Sequence, residues 1–237
     1  MDKKKFAAEH RKLVMAACRI YNRLCGLKIR NKGTENRVEA PCALMKKTRI
    51  IFHGDNNRVT VGDFSQLSGV TIDIHGSNHQ ISLGSWSTFL GTEMYLEQGN
   101  CSITVKDHAH FYGKAELAAM EGTSVAIGED CLCSSNVQIR TGDSHSVLDM
   151  SGRRTNVSRD ITLGEHVWLG RDVTVLKGSI IGDHCLVGTR ALVTGQFPER
   201  NCAIGGVPAR ILKKEVDWSV HHIPAGEIAP DFQFPEA

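Results

Sequence analysis

Residues 161–195 read ITLGEHVWLGRDVTVLKGSIIGDHCLVGTRALVTG, and within them Leu163, Leu169, Val175, Ile181, Val187 and Val193 follow at unbroken steps of six. Neither the period of an α-helix nor that of a flat strand generates this spacing. Three hexads make one turn of a three-sided parallel β-helix in which each face points a small apolar residue inward. Glycine follows Leu163, Leu169, Ile181 and Val187, as expected where a chain turns a tight corner without a Cβ clash.

Nearer the N-terminus the stride lengthens. Val61, Leu83, Val105 and Ile127 recur every 22 residues, in GDNNRVTVGD, GSNHQISLGS, GNCSITVKD and GTSVAIGED. These segments predict four wider coils with a few extra corner residues each. One coil cannot bury its own apolar side, so the stack shares a continuous core and its ends need covering. The expected division is an N-terminal helical extension over 1–48, the β-helix over 49–214 with a loop at 140–160, and a tail over 215–237.

The composition, 237 residues with 41% apolar, 23% charged and 23 glycines, suits one solenoid domain with appendages. The eight cysteines show no CxxC spacing, and no apolar leader precedes them. That pattern predicts a reducing, cytoplasmic compartment with the thiols as small core fillers. No apolar run approaches the roughly 18 residues of a membrane span.

Charge is uneven. The first fifty residues hold fourteen Lys or Arg against four Asp or Glu, while the remainder has eight more acids than bases. Phe6, Leu13, Val14, Ala17, Ile20, Tyr21 and Leu24 recur at helical spacing, with Lys12, Arg19 and Arg23 largely off that stripe. The preferred reading is a basic amphipathic helix that caps the first coil with its stripe and leaves its charges solvated. The alternative is peripheral attachment to an anionic membrane face. No aromatic or glycine-rich signature of RNA binding accompanies the charge, so no nucleic-acid partner is expected.

Between Ile139 and Leu163 the hexad rule lapses. The interval RTGDSHSVLDMSGRRTNVSRD, 140–160, has loop chemistry, and a loop projecting from a regular solenoid can wall a cleft. His145 lies within it, with Asp143 and Asp149 nearby as carboxylates able to orient an imidazole. Other histidines read as structural. His166 and His184, eighteen residues apart, share one corner as solvated turns. His108 with His110, and His75 with His79, lack the third ligand that zinc requires, so no metal is expected. Cys133 falls at an inward hexad position, where a buried thiol is inert, which disfavours a covalent route through Cys131 or Cys133.

The stretch from Ile161 to Trp218, with its hexads, VWLG corner and GVPAR segment, together with the upstream DSHSVLD, resembles the hexapeptide-repeat acyltransferases. The likeness covers about half the chain, from residue 121 onward. It is to the branch holding galactoside acetyltransferase and the O-acetyltransferases of bacterial capsular and lipopolysaccharide sugars. The resemblance implies a left-handed parallel β-helix, a homotrimer, and acetyl-CoA lying between neighbouring coils. His145 matches the family's catalytic histidine and Trp168 the tryptophan beside the active site. Thr189, Thr194 and Gly195 match positions along the pantetheine, and Arg210 and Lys213 the basic pair near the nucleotide phosphates. Two departures stand out: Arg190 interrupts a run that is commonly glycine-alanine-glycine, and Gly195 stands where lysine is frequent.

The residue chemistry agrees with acetyl transfer. Attack of an alcohol on a thioester needs a base near neutrality, which an imidazole supplies. The oxyanion needs preorganised donors, which corner N–H groups or the Trp168 indole can provide. From spacing alone, Trp168 reads equally as a packing residue. The function expected is O-acetylation of a sugar hydroxyl in surface-polysaccharide synthesis, with no acyl-enzyme. The alternatives are N-acetylation of an amino-sugar nucleotide and a non-catalytic glycan-binding scaffold. A carbonic anhydrase on the same coil would need a histidine trio that the sequence does not assemble.

Overall fold

The computed structural model describes residues 10–229. Its strands wind into a three-sided parallel β-helix. One face runs from Arg37–Glu39 through Arg58–Val61, Gln80–Leu83, Ser102–Val105, Ser124–Ile127, Ile161–Leu163 and Ile180–Ile181 to Gln196–Phe197. The second starts at Leu44–Lys46 and ends at Cys202–Gly206, and the third runs from Lys28–Asn31 to Leu192–Val193. Thr88–Glu97 and His110–Met120 are long enough to bend round a corner and serve two faces. Coil-to-coil pairing is parallel until the C-terminal hairpin, where Ala209–Lys214 turns back antiparallel on Cys202–Gly206.

Both repeats read from the sequence are coil repeats. Val61 pairs with Leu83, Leu83 with Val105 and Val105 with Ile127. Ile127 then pairs with Leu163 and Leu163 with Ile181, while Leu169 meets Val187 and Val175 meets Val193 on the other two faces. All of these side chains are buried in one continuous core. Cys101, Cys131, Cys133, Cys185 and Cys202 lie in that core as small fillers.

The corner glycines act by proximity between coils. A Cβ on Gly128 would sit 2.3 Å from the carbonyl oxygen of Gly164, and one on Gly182 would sit 2.5 Å from that of Glu199. The left-handed backbone falls instead on Asp130, His166 and His184, stacked at one corner with φ of 56°, 52° and 56°. The wider coils spend their extra residues on an inward polar ladder. Asn57 Oδ1 accepts from His79 N at 2.9 Å, and His79 Nδ1 accepts from Cys101 N at 3.2 Å. His79 is fully buried, and burial lowers its pKa. Its Nε2 donates to the His75 carbonyl at 3.1 Å, so His79 fills a corner and cannot join His75 at a surface ion.

The N-terminal region departs from the expected extension. Helix α1 spans Arg11–Leu24, and the coil already begins at Lys28, within the segment assigned to the extension. The sequence concealed this first coil because Lys28–Asn31 is exposed throughout and Arg37–Glu39 half-buries only Val38. Helix α1 docks through Cys18 and Asn22, whose amide donates to the Ala43 carbonyl at 3.0 Å and accepts from Met45 N at 2.7 Å. The apolar stripe is not the docked face: Leu13, Ile20 and Leu24 remain 66%, 63% and 79% exposed. Phe6 lies outside the described residues.

In the wide coils Phe89 and Phe111, both fully buried, stack with ring centres 5.0 Å apart. Phe111→Ala is predicted to lower unfolding free energy by about 3–5 kcal/mol. Denaturant titration checks this, and a loss below 1 kcal/mol would show that the coils relax around the void.

Candidate active site

The coil breaks once. Val125 pairs with Ile161 and Thr162 with Ile180, offsets of 36 and 18 residues, so the coil containing 140–160 carries one extra coil length of chain. The two ends of this excursion meet, since Arg159 N donates to the Thr141 carbonyl at 2.9 Å. Gly142 sits at the exit, where a Cβ would lie 2.2 Å from Ser158 Oγ and 2.6 Å from Met120 Sδ.

The excursion is a small hairpin. Leu148 and Arg154 form an antiparallel bridge, Asp149 N donates to the Arg153 carbonyl at 2.8 Å, and Thr155 N donates to the Val147 carbonyl at 2.8 Å. Asn156 organises its base: Nδ2 donates to Asp143 Oδ2 at 2.8 Å and to the His145 carbonyl at 2.7 Å, while Oδ1 accepts from Val147 N at 2.8 Å. Lys177, in the next coil, pairs with Asp143. Arg140 bonds Ser144 Oγ at 3.0 Å and Glu116 at 2.5 Å, which fixes the first residues of the excursion. On the opposite side Glu121 pairs with Arg154 and accepts from Ser158 Oγ at 2.6 Å.

This frame holds the His145 backbone and leaves its imidazole exposed, with no hydrogen bond or ion pair to any described residue. Neither flanking carboxylate reaches the ring. Asp143 is committed to Lys177 and Asn156, which hold its pKa below the usual range. Asp149 accepts from Ser151 Oγ at 2.6 Å and from Arg153 N at 3.0 Å inside its own turn, and these bonds lower its pKa. Asp143 therefore acts on His145 only through Asn156 and the backbone. Sequence reasoning missed Asn156, Lys177 and Glu121. The signal for Lys177 lay in the register, because Arg140 pairs with Leu176 and the excursion leaves directly above the residue that follows.

Trp168 is not beside His145 within one chain. It opens the second face, whereas the excursion leaves the corner between the third and first faces, across the triangle from it. Its indole N–H donates to Ser134 Oγ at 3.2 Å, and its ring lies 5.9 Å from that of Trp218. Trp218 stacks on His166 at 4.1 Å, donates to the His166 carbonyl at 2.8 Å, and its own carbonyl lies 3.1 Å from His166 Nε2. His166 and His184 do share a corner, but as a clasp for the C-terminal segment rather than as solvated turns; His184 Nδ1 lies 3.0 Å from Asp217.

The residues matched to a nucleotide carrier lie on the last coils. Thr189 and Arg190 turn the corner after Leu186–Val187, Thr194 and Gly195 the corner after Leu192–Val193, and Arg210 and Lys213 stand exposed on the final hairpin strand. Arg190 projects outward, its Nε 3.6 Å from Asp172. Cys131 is pushed up to about 12 by burial, and burial also raises Cys133 well above the ordinary thiol value. Neither supplies a thiolate nucleophile near neutral pH. His53, Asp73 and His75 converge on the third face, but the imidazoles stack nearly parallel at 4.0 Å, so their lone pairs do not point to one ion.

Glycine-cornered hexads wound into a stacked coil, with one histidine-bearing break, are the pattern of hexapeptide repeats. The pattern described as bacterial transferase hexapeptide (six repeats) matches residues 160–195. A putative lipopolysaccharide biosynthesis O-acetyl transferase, WbbJ, of Escherichia coli K12 is 40% identical over 120 residues, 46% of this chain and 56% of the relative. Polysialic acid O-acetyltransferase of Escherichia coli O1:K1 is 34% identical over 97 residues, 40% of this chain and 31% of the relative. The chain thus spans from about a third to just over half of the curated relatives it matches. The solved polysialic acid O-acetyltransferase OatWY superposes with a TM-score of 0.78 at 28% identity, covering 84% of this chain and 93% of that one. The chain is similar over part of its length to hexapeptide-repeat acetyltransferases, and its fold is the left-handed parallel β-helix.

The hairpin's tie to the coil carries a pH dependence. Arg154 and Ser158 lower the Glu121 carboxyl from an ordinary 4.5 to about 2. A depressed carboxyl contributes stability above its unfolded value and loses it as pH falls through the folded one. Amide protection over 147–155 should therefore be full above pH 4.5 and fall toward pH 2. Glu121→Gln should show reduced protection already at pH 7, and unchanged protection there would remove Glu121 from the frame.

Proposed function

We propose that the protein is an O-acetyltransferase that moves acetyl from acetyl-CoA to a sugar hydroxyl in the synthesis of a surface polysaccharide. The observation that carries the reading is the unpartnered His145 imidazole, held by its backbone at the one interruption of the coil. The names of the relatives support the same class of reaction.

In this mechanism neutral His145 accepts the proton of the acceptor hydroxyl as its oxygen attacks the thioester carbonyl carbon. The charge developing on the carbonyl oxygen is met by N–H donors of the glycine corners or by the Trp168 indole, which must exchange its bond to Ser134. When the carbon–sulfur bond breaks, the imidazolium returns the proton to the departing CoA thiolate. The inert thiols in the core favour direct transfer with no acyl-enzyme. Asp143 serves as a positioning residue through Asn156, and Asp149 holds the hairpin tip.

Thr189, Thr194 and Gly195 would follow the pantetheine, with Arg210 and Lys213 at the phosphates, where Arg190 offers a further cation. A site uniting His145 with Trp168 needs a second copy, because the two lie across the triangle from each other in one chain. Val147, Leu148 and Met150 support such an assembly, since the hairpin carries them outward at 56%, 58% and 104% exposure. The proposed assembly is a homotrimer with the acceptor and acetyl-CoA in the groove between copies. Eight unpaired thiols fit a reducing cytoplasm, and no described helix is long and apolar enough to cross a membrane.

Thiol release from acetyl-CoA, measured across sugars and nucleotide-sugars, tests the reading. His145→Ala is expected to lose on the order of 10²-fold or more in turnover without a change in melting temperature, since the side chain is exposed. Thiol release confined to amino-bearing acceptors would contradict O-transfer, and full turnover in the variant would remove His145 from the chemistry.

A further inference from the structure

Helix α1 is folded against the coil the wrong way round for a simple cap. At 3.6 residues per turn, Leu13, Ala17, Ile20 and Leu24 form one line along the helix, about 130° from the line of Val14, Cys18 and Asn22 that faces the coil. All four residues of the first line are exposed. A helix in water ordinarily turns its apolar line inward. Lys12, Arg19 and Arg23 form a third line on one flank and have no ion-pair partner among the described residues, whereas Arg11 is held by Asp63.

Among the described residues, nothing closes the end of the coil beside this helix. A cavity of about 680 Å³ opens there, with an apolar floor that includes Leu27, Ile29, Val38 and Met45 and with Arg19 and Arg23 at its rim. Ile29 is 48% exposed. The apolar line and the cavity therefore lie at one basic end of the described structure, where residues 10–50 hold eleven Lys or Arg against two Asp or Glu.

We infer that α1 and the open first coil form a membrane-docking surface, which seats the exposed line of the helix in the interface of an anionic bilayer with the arginines and lysines at the phosphates. Charge selects this occupant. A second copy docked end to end would bring two strongly basic surfaces together, whereas an anionic lipid surface neutralises them. A narrow apolar line flanked by cations is also the pattern of a helix lying in a membrane interface. Coils stack at roughly 4.8 Å, so the His145 hairpin, about five coils above the first, stands on the order of 25 Å from the lipid. The inference does not depend on the proposed reaction.

Co-sedimentation of the full chain with phosphatidylcholine vesicles, with and without phosphatidylglycerol, is the test. Binding is expected only with the anionic lipid at low salt and is expected to weaken at least tenfold in 0.5 M NaCl. Leu13→Gln combined with Ile20→Gln and Leu24→Gln should weaken it by a similar factor, as should Arg19→Glu with Arg23→Glu. Melting temperature and oligomeric mass without vesicles should stay unchanged. Absence of binding by the unaltered chain overturns the inference. So does a glutamine variant that binds as before, which would mean adsorption of charge alone. A glutamine variant whose oligomeric mass changes in buffer would assign the line to contact between copies instead.

Discussion

Every coil of this protein depends on the one above it for backbone hydrogen bonds. Trp168 N donates to the Cys185 carbonyl at 2.9 Å, Thr174 N to that of Ala191 at 3.0 Å and Gly128 N to that of Leu163 at 3.0 Å, each partner lying one coil on. Parallel pairing of this kind fixes register on three faces at once. A slip of one residue would turn Val175 or Leu169 outward and bring a polar neighbour into the closely packed apolar core. The fold is thereby a rigid rod whose faces are repetitive and whose information lies at its corners and its breaks.

The break at 141–160 is compatible with that rule because it adds one coil length and closes on itself. The register after it is the register before it, so the core continues from Ile127 to Leu163 without a step. Loop closure costs grow slowly with length, and side chains from three parts of the chain, Glu121, Arg140 and Lys177, reduce the freedom that remains. A rigid rod and a braced hairpin together give a histidine a fixed position with a free ring. Polar groups elsewhere are spent internally: His79 on a corner ladder, and His166 and His184 on the clasp around Trp218 and Asp217.

Much of this was readable in the residues. The hexads at 163–193 and the 22-residue stride of 61–127 revealed the coil and its register, because an inward apolar residue recurs at the length of a face or of a whole coil. The excursion stood out because it lacked that period. The first coil did not, since an end coil faces solvent on one side and Lys28–Asn31 has no buried residue to mark it. The docked face of α1 was hidden for a related reason: it is secured by Asn22 through two backbone hydrogen bonds, and periodicity of apolar residues reports nothing about such a contact. Asn156, Lys177 and Glu121 are far apart in sequence and meet only once the coils are stacked. The reading of Asp143 and Asp149 as partners of the imidazole rested on nearness along the chain, which a hairpin does not preserve in space.

The central claim is that the coil supplies the scaffold and the single excursion supplies the chemistry. Removing residues 142–159 and joining Thr141 to Asp160 leaves a coil of the same length as its successor, since Thr162 pairs with Ile180 eighteen residues on. Circular dichroism and acetyl transfer measured on this deletion test the claim most directly. The account predicts a strand signal that is kept and a transfer rate reduced to background, whereas a collapsed coil or surviving transfer would contradict it.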